Sequence, residues 1–540
     1  MSDTPERAAA RGAPFLSPVQ AGTAVVLLAV LARALEAIQQ PRLFNDGPRF
    51  VAMAENFARR EWWAALGDAF HPLTAFVMAV LGSLLPVSFE TAGQLANVLA
   101  GGAGAWALWG LTRDQFGDRV ALAGAIVFAL QPRLVASSSG VQSDGIHLAL
   151  FLLGAWASWR ALERRGAVLA ALAGLLCGLA YLTRPEGLVV AAVFGLWLGV
   201  DALRRRLSWG SALTLGASFG AALLIVGGPY VLTLHELSGE WTLTRKKQIA
   251  RVEPVRQAPL YAQGWGDPPG LRGRLRGAPD FAASFELRRV AFAGASVAAL
   301  SPDALHEAPP LEPWLQAAIA PGLSEVLADG LRALQTPALL LALLGLLRGP
   351  PSRSTLFIGG FVGIFFLMLM AVHAHSGYVS RRHWLPVVAL VSPFVGRGGL
   401  RLLGWLPALP GSRAIPRIRG LVVSAAIVGL LAHAAIPQMD AHKVARRNAA
   451  LWLKQEARPA MVAAKRARDA YFAGAEHVPL EAMSGGMLYT LAHARDEGAQ
   501  FALVDSEEWV MDDKRPPPWI QEMNRVSYRG HEVVILMLGR

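Results

Sequence analysis

Apolar runs of about 20 residues recur along the chain, and no other feature limits its fold so tightly. A backbone that crosses hydrocarbon must satisfy its own hydrogen bonds, so each such run reads as a membrane helix. The runs lie near 19–38, 73–85, 92–111, 118–136, 145–162, 167–183, 187–203, 210–233, 335–348, 354–372, 383–396 and 418–437. Charged residues make up only 17% of the 540, against about 25% in a soluble domain. Disorder and a single compact soluble domain are both excluded. The first run is longer than a signal-peptide core and reads as an uncleaved anchor. Cys177 is the only cysteine, so no intramolecular disulfide framework or Cys-built metal site forms, and its apolar surroundings give it a packing role.

The net charge of +12 is gathered largely in short Arg clusters between the runs, at Arg164-Arg165, at Arg204 to Arg206 and from Arg413 to Arg419. Such clusters mark cytoplasmic loops. Nucleic acid is not an expected partner, and no Walker loop, zinc spacing or nucleophile elbow is present. Loops holding Arg113/Arg119, Arg164/Arg165, Arg204 to Arg206, Arg348/Arg353 and Arg397/Arg401 alternate with Arg-poor loops. All of these, and the start with Arg7 and Arg11, therefore read as cytoplasmic. An even number of crossings must separate Arg11 from Arg113, yet three runs lie between them. Leu73 to Leu85 is too short to span and reads as a helix lying in, or dipping partway into, the outer interface.

The expectation is a mainly α, polytopic bundle of about 11 spans in a bacterial-type inner or plasma membrane. Residues 1–18 form a cytoplasmic N-terminus. Residues 19–437 form the transmembrane module, with outer loops 39–91 and 234–334. Residues 438–540 form an extracytoplasmic domain. Strand-like Phe501–Asp505 and His531–Leu538 alternate with helix-like stretches there, which predicts a small α/β fold.

On this topology the distinctive polar clusters share the outer side. They are Phe44 to Phe50 with Asp46, His71-Pro72, Gln142 to Asp144, Thr183 to Gly187 with Arg184 and Glu186, and His373 to His383 with Tyr378, Arg381 and Arg382. The spans are nearly free of charge, whereas a carrier places charged groups near the midplane. Arg forks bind phosphate oxygens in pairs and stay charged. Asp46, just past a span end, is placed to take a proton from a hydroxyl. Phosphate leaves without a general acid, so paired carboxylates are not required.

Four marks in order resemble the GT-C class of membrane glycosyltransferases, in its branch of protein O-mannosyltransferases and aminoarabinose transferases. They are Asp46 after the first span, Phe50-Val-Ala-Met-Ala54, His71-Pro72-Leu73, and Gly178-Leu-Ala-Tyr-Leu-Thr-Arg-Pro-Glu-Gly187. The resemblance covers roughly residues 19–400. It implies transfer of a sugar from a polyprenyl-phosphate donor in the bilayer to an acceptor hydroxyl on the outer face, the sugar and acceptor being unspecified. It implies Asp46 as the catalytic carboxylate and Asp144 as the second acidic site. It departs at Thr74, where the family has a second Pro near His71, and at Gly47, where the mannosyltransferases show Glu. Gly377-Tyr378-Val-Ser-Arg-Arg382 only loosely matches the family's later Arg-Tyr motif.

His71, Arg184, Glu186, Tyr378, Arg381 and Arg382 are expected to bind substrate. No cofactor is implied. A divalent metal is compatible with such chemistry but not indicated, because His373, His375 and His383 share no helical i, i+4 carboxylate pattern. Against this stand plainer readings: Asp46 as a helix cap before Gly47-Pro48, a flippase for lipid-linked sugar, or a structural subunit. A carboxylate of Asp46 facing Arg381 or Arg382 favours the transferase; one turned back as a cap favours the others.

Overall fold

A computed structural model describes residues 17–39, 44, 46–245, 323–324, 326–347, 352–376, 379–405, 441–480, 486–509 and 516–539. The apolar run near 418–437 and Tyr378 lie outside them. Among the described residues six helices are long and apolar enough to cross a membrane, or eight if two bent pairs each count as one span. Leu73–Leu84 is a 12-residue helix, and it meets the helix Phe89–Phe116 at a bend of 113°. It therefore does not continue its neighbour's axis.

The helices pack largely against partners that are not their immediate neighbours in sequence. Ala167–Tyr181 lies between Asp144–Arg164 and Trp209–Ser238, while Phe89–Phe116 packs on Pro18–Gln39 and on Asp144–Arg164. Their shared core includes Leu108, Phe151, Phe194, Phe357 and Phe361, all fully buried. Leu213, Leu224 and Ile225 instead point outward, an arrangement that water penalises and lipid does not.

The two ends of this bundle carry different polar sets. Helix Asp144–Arg164 has 21 residues, about 30 Å at 1.5 Å per residue. At its far end Arg353 pairs with both Glu163 and Asp201, and Arg165 donates to the Arg206 carbonyl at 2.7 Å. The Arg-rich loops at 163–165, 201–206 and 353 thus gather together, away from Asp144.

The first span holds two buried charged residues, Arg33 and Glu36. Arg33 donates through Nε to Ser138 Oγ (2.6 Å) and through Nη1 to the carbonyls of Ala29 and Ala129 (3.1 Å each). These bonds tie the span to the segment leading toward Asp144.

The tail carries five strands: β1 Met461–Ala464, β2 Glu476–Pro479, β3 Phe501–Asp505, β4 Ile520–Tyr528 and β5 His531–Leu538. Their order is β2-β1-β3-β5-β4. β1 runs parallel to β2 and β3, and β5 runs antiparallel to β3 and β4. Both strands read from the sequence are present at the expected residues. Tyr471 and Phe472, on the helix Ala467–Ala473, pack against the cluster of Phe50, Met53 and Phe57. The tail therefore rests on the helix Gly47–Ala58 that follows Asp46.

Candidate functional site

Asp46 stands at the N-cap position of the helix Gly47–Ala58, with Pro48 in the first turn, but its side chain makes no capping bond. It faces Arg382, whose Nη1 lies 3.5 Å from Oδ2. The plain capping role is thereby excluded as the use of this carboxylate. Pro48 favours the helical start without help from a cap.

Asp144 is held from behind. The Asn97 amide, fully buried on Phe89–Phe116, donates to the carbonyls of Gly93, Gly140 and Gln142 at 2.8–3.1 Å and accepts from Ile146 N at 3.2 Å. A Cβ on Gly145 would stand 2.4 Å from Asn97 Oδ1, so this position needs glycine. The clasp sets the first turn of Asp144–Arg164 and aims the Asp144 carboxylate inward.

Arg184 precedes Pro185 and is extended, at φ −159° and ψ 141°, as the proline ring requires of the residue before it. Gly187 closes the turn, because a Cβ there would meet the Tyr181 backbone at 2.5 Å. The Arg184 guanidinium bonds Glu186 through Nε (3.3 Å) and Nη2 (2.9 Å), and pairs with Asp144 through Nη1. Burial works against its charge, yet Glu186 and Asp144 outweigh that and hold it more firmly protonated than in water.

Arg382 lies in a short 3₁₀ turn, Arg381–Trp384, capped by Ser380 and His383 as a capping box. Its Nε donates to Asp144 Oδ2 at 2.9 Å. Arg382 thus bridges Asp144 and Asp46, which lie far apart in sequence. His383 Nε2 is 3.9 Å from Glu186 Oε1. Asp144, Arg184, Glu186, Arg382 and His383 line one cleft together with His147 and Phe365. Asp46 touches Arg382 from the edge of that lining.

The two carboxylates differ in availability. Asp144 is 3% exposed and neutralised by two guanidiniums, whereas Asp46 is 33% exposed with one long contact among the described residues.

Two other candidates stand apart from this cluster. Arg381 faces Asp329, 3.7 Å away, which also pairs with Arg332. His71 is buried between the rings of Tyr181 and Tyr230, each at a centroid distance of 5.2 Å; the backbone beside it is anchored where Leu73 N donates to Leu182 O at 2.9 Å. Sequence reading missed His147, Asn97, Asp329 and the buried Arg33. Helical spacing was the available signal for His147, three residues from Asp144 and so on the same face. Among the described residues no three His, Cys, Asp or Glu side chains group to hold a metal ion.

The chain matches the family model described as dolichyl-phosphate-mannose-protein mannosyltransferase over residues 70–228, a stretch that holds His71, Asp144, Arg184 and Glu186 but neither Asp46 nor Arg382. The crystal structure of the Archaeoglobus fulgidus oligosaccharyltransferase in complex with Zn and sulfate is similar, with TM-score 0.56 and 12% identity over 90% of this chain and 68% of that one. The archaeal oligosaccharyltransferase AglB from Archaeoglobus fulgidus, in complex with an inhibitory peptide and a dolichol-phosphate, matches at TM-score 0.51 and 13% identity over 91% and 69%. ArnT from Cupriavidus metallidurans bound to undecaprenyl phosphate aligns at TM-score 0.44 and 15% identity over 96% and 97%. No curated protein matches. The family model covers less than a third of the chain, and the archaeal structures share its fold.

Proposed function

We propose that this chain moves a sugar from a polyprenyl-phosphate donor to an acceptor hydroxyl on the outer face of the membrane. One observation carries the reading: Arg382 joins Asp46 and Asp144 at the rim of a cleft that Arg184 and Glu186 complete. The matched family is named for a dolichyl-phosphate donor, and AglB holds a dolichol-phosphate. A lipid phosphate fits the chemistry of this rim.

In the proposed reaction Asp46 takes the proton of the acceptor hydroxyl. The oxygen attacks the anomeric carbon, a C–O bond forms on the face opposite the phosphate, and the bond to the phosphate oxygen breaks. Polyprenyl phosphate leaves with the electron pair, and the anomeric configuration inverts. Arg382, about a third exposed and reaching over Asp46, meets the departing phosphate. Arg184 serves by fixing Asp144, because both of its faces are committed to buried carboxylates. Asp144 in turn orients Arg382. The low-dielectric rim strengthens each of these contacts. The tail, resting on the helix after Asp46, shapes the side from which the acceptor comes.

The test is incubation of purified protein with labelled polyprenyl-phosphate sugars and membrane extract. Transfer by the wild type and none by Asp46→Asn is the expected result. Translocation of lipid-linked sugar by wild type and Asp46→Asn alike, without transfer, would replace the transferase with a flippase.

A further inference from the structure

His147 lies one turn beyond Asp144 on the same helix and is 3% exposed. Its Nδ1 is 3.2 Å from Thr183 Oγ1 and 3.3 Å from the Ala180 carbonyl. The Thr183 hydroxyl donates its single proton to that same carbonyl, at 2.5 Å. Both neighbours therefore meet Nδ1 as acceptors, which puts the ring proton of the neutral imidazole on Nδ1. Nε2 is left with a lone pair. It has no hydrogen-bond partner among the described residues, and the ring lines the cleft with Asp144, Arg184 and Arg382.

A buried acceptor without a donor is costly, and the cleft's own cations do not relieve it. Arg184 is turned to Asp144 and Glu186, and Arg382 to Asp144 and Asp46. A donor on a molecule that enters the cleft would satisfy that acceptor. An ionised phosphodiester offers none, whereas a sugar ring offers several hydroxyls. The acceptor substrate approaches from the Asp46 edge, on the other side of Arg382. His147 shares the lining of the cleft with Phe365 and Leu148, and Asp46 is not part of that lining.

We propose that His147 Nε2 recognises the sugar being transferred, by accepting a hydrogen bond from one of its hydroxyls. The proposal rests on the lipid-linked-sugar reading above and makes His147 the specificity residue of that site. Sites built around a substrate hydroxyl discriminate strongly against ligands that lack it, because the protein group is then left unpaired.

The experiment measures binding to the full-length protein in detergent with two kinds of probe. One is undecaprenyl phosphate alone; the other is undecaprenyl phosphate carrying mannose, glucose or arabinose. His147→Leu is expected to leave affinity for the bare lipid within about twofold and to weaken the best sugar-bearing lipid about tenfold. His147→Gln, whose amide oxygen extends about as far as Nε2, is expected to restore most of that loss. Equal losses for both probes would make His147 a packing residue and overturn the proposal. So would unchanged binding of the sugar-bearing lipid, a wild type with no preference for any sugar over the bare lipid, or an effect confined to the acceptor's KM. A wild type that binds neither probe would overturn the donor reading itself, and this proposal with it.

Discussion

Replacing Asp46 and Asp144 by Asn in turn separates chemistry from architecture, because both carboxylates touch Arg382 but only one is buried. Asp46 is a third exposed, makes no capping bond, and meets Arg382 at 3.5 Å. An ion pair of that kind contributes under about 1 kcal/mol to stability. A positioned base contributes about 10²–10⁴-fold to rate, or about 2.7–5.5 kcal/mol of barrier. Asp46→Asn is therefore expected to melt where the wild type melts and to lose at least about a hundredfold in turnover. Asp144 is 3% exposed and paired with both Arg184 and Arg382. Removing one member of a buried pair costs about 3–5 kcal/mol, and the lower end applies because Glu186 still neutralises Arg184. Asp144→Asn is expected to melt clearly earlier and to bind donor poorly, since Arg382 loses the carboxylate that orients it. The assays are thermal unfolding in detergent and transfer from labelled polyprenyl-phosphate sugars. Near wild-type turnover in Asp46→Asn, or equal loss of stability in the two variants, would refute the assignment of roles.

Arg382→Ala should weaken binding of undecaprenyl phosphate about 10–100-fold, as loss of a charged hydrogen bond worth about 1.5–3 kcal/mol requires, while Arg381→Ala, already facing Asp329, should cost less than about threefold; a reversed order in a lipid-binding assay would move the phosphate. Gly145→Ala brings a methyl against Asn97 Oδ1 and should lower turnover at least about tenfold by displacing Asp144; unchanged turnover would refute the need for glycine there. In the tail, burial alone raises the Asp505 carboxyl, but the bond and charge of Arg446, with His442 and Lys465, outweigh it and hold it below the ordinary carboxylate value. A depressed folded pKa gives stability that is present above the unfolded value near about 3.9 and lost as pH falls through the folded one; limited proteolysis of the tail should accelerate below about pH 4 in the wild type, and an Arg446→Ala tail that keeps the wild-type acid profile would contradict this. On a Cys177→Ala background, cysteine at 144 should react with an impermeant outer reagent only after denaturation, cysteine at 46 without it, and labelling of cysteine at 113 from the outer side would invert the topology.

The membrane character, the mainly helical class and the strand pair of the tail were legible in the sequence, because hydrophobic run length and period are local properties. The residues of the rim were legible too, as polar clusters at helix ends that hydrocarbon does not tolerate within a span. Their roles were not. Arg381 and Arg382 are neighbours in sequence, yet one faces Asp329 and the other Asp46 and Asp144, since successive residues of a helical turn point in different directions. Arg184 was expected to bind substrate, and only the packing shows its guanidinium held by Glu186 and Asp144. Helical spacing put His147 on the face of Asp144, but only packing shows Thr183 and Ala180 at one ring nitrogen and no partner at the other among the described residues. Which charges neutralise one another, and which polar atom is left without a partner, depends on distances between segments far apart in the chain. Tertiary packing alone sets those distances, and so it alone separates the exposed carboxylate of Asp46 from the buried one of Asp144.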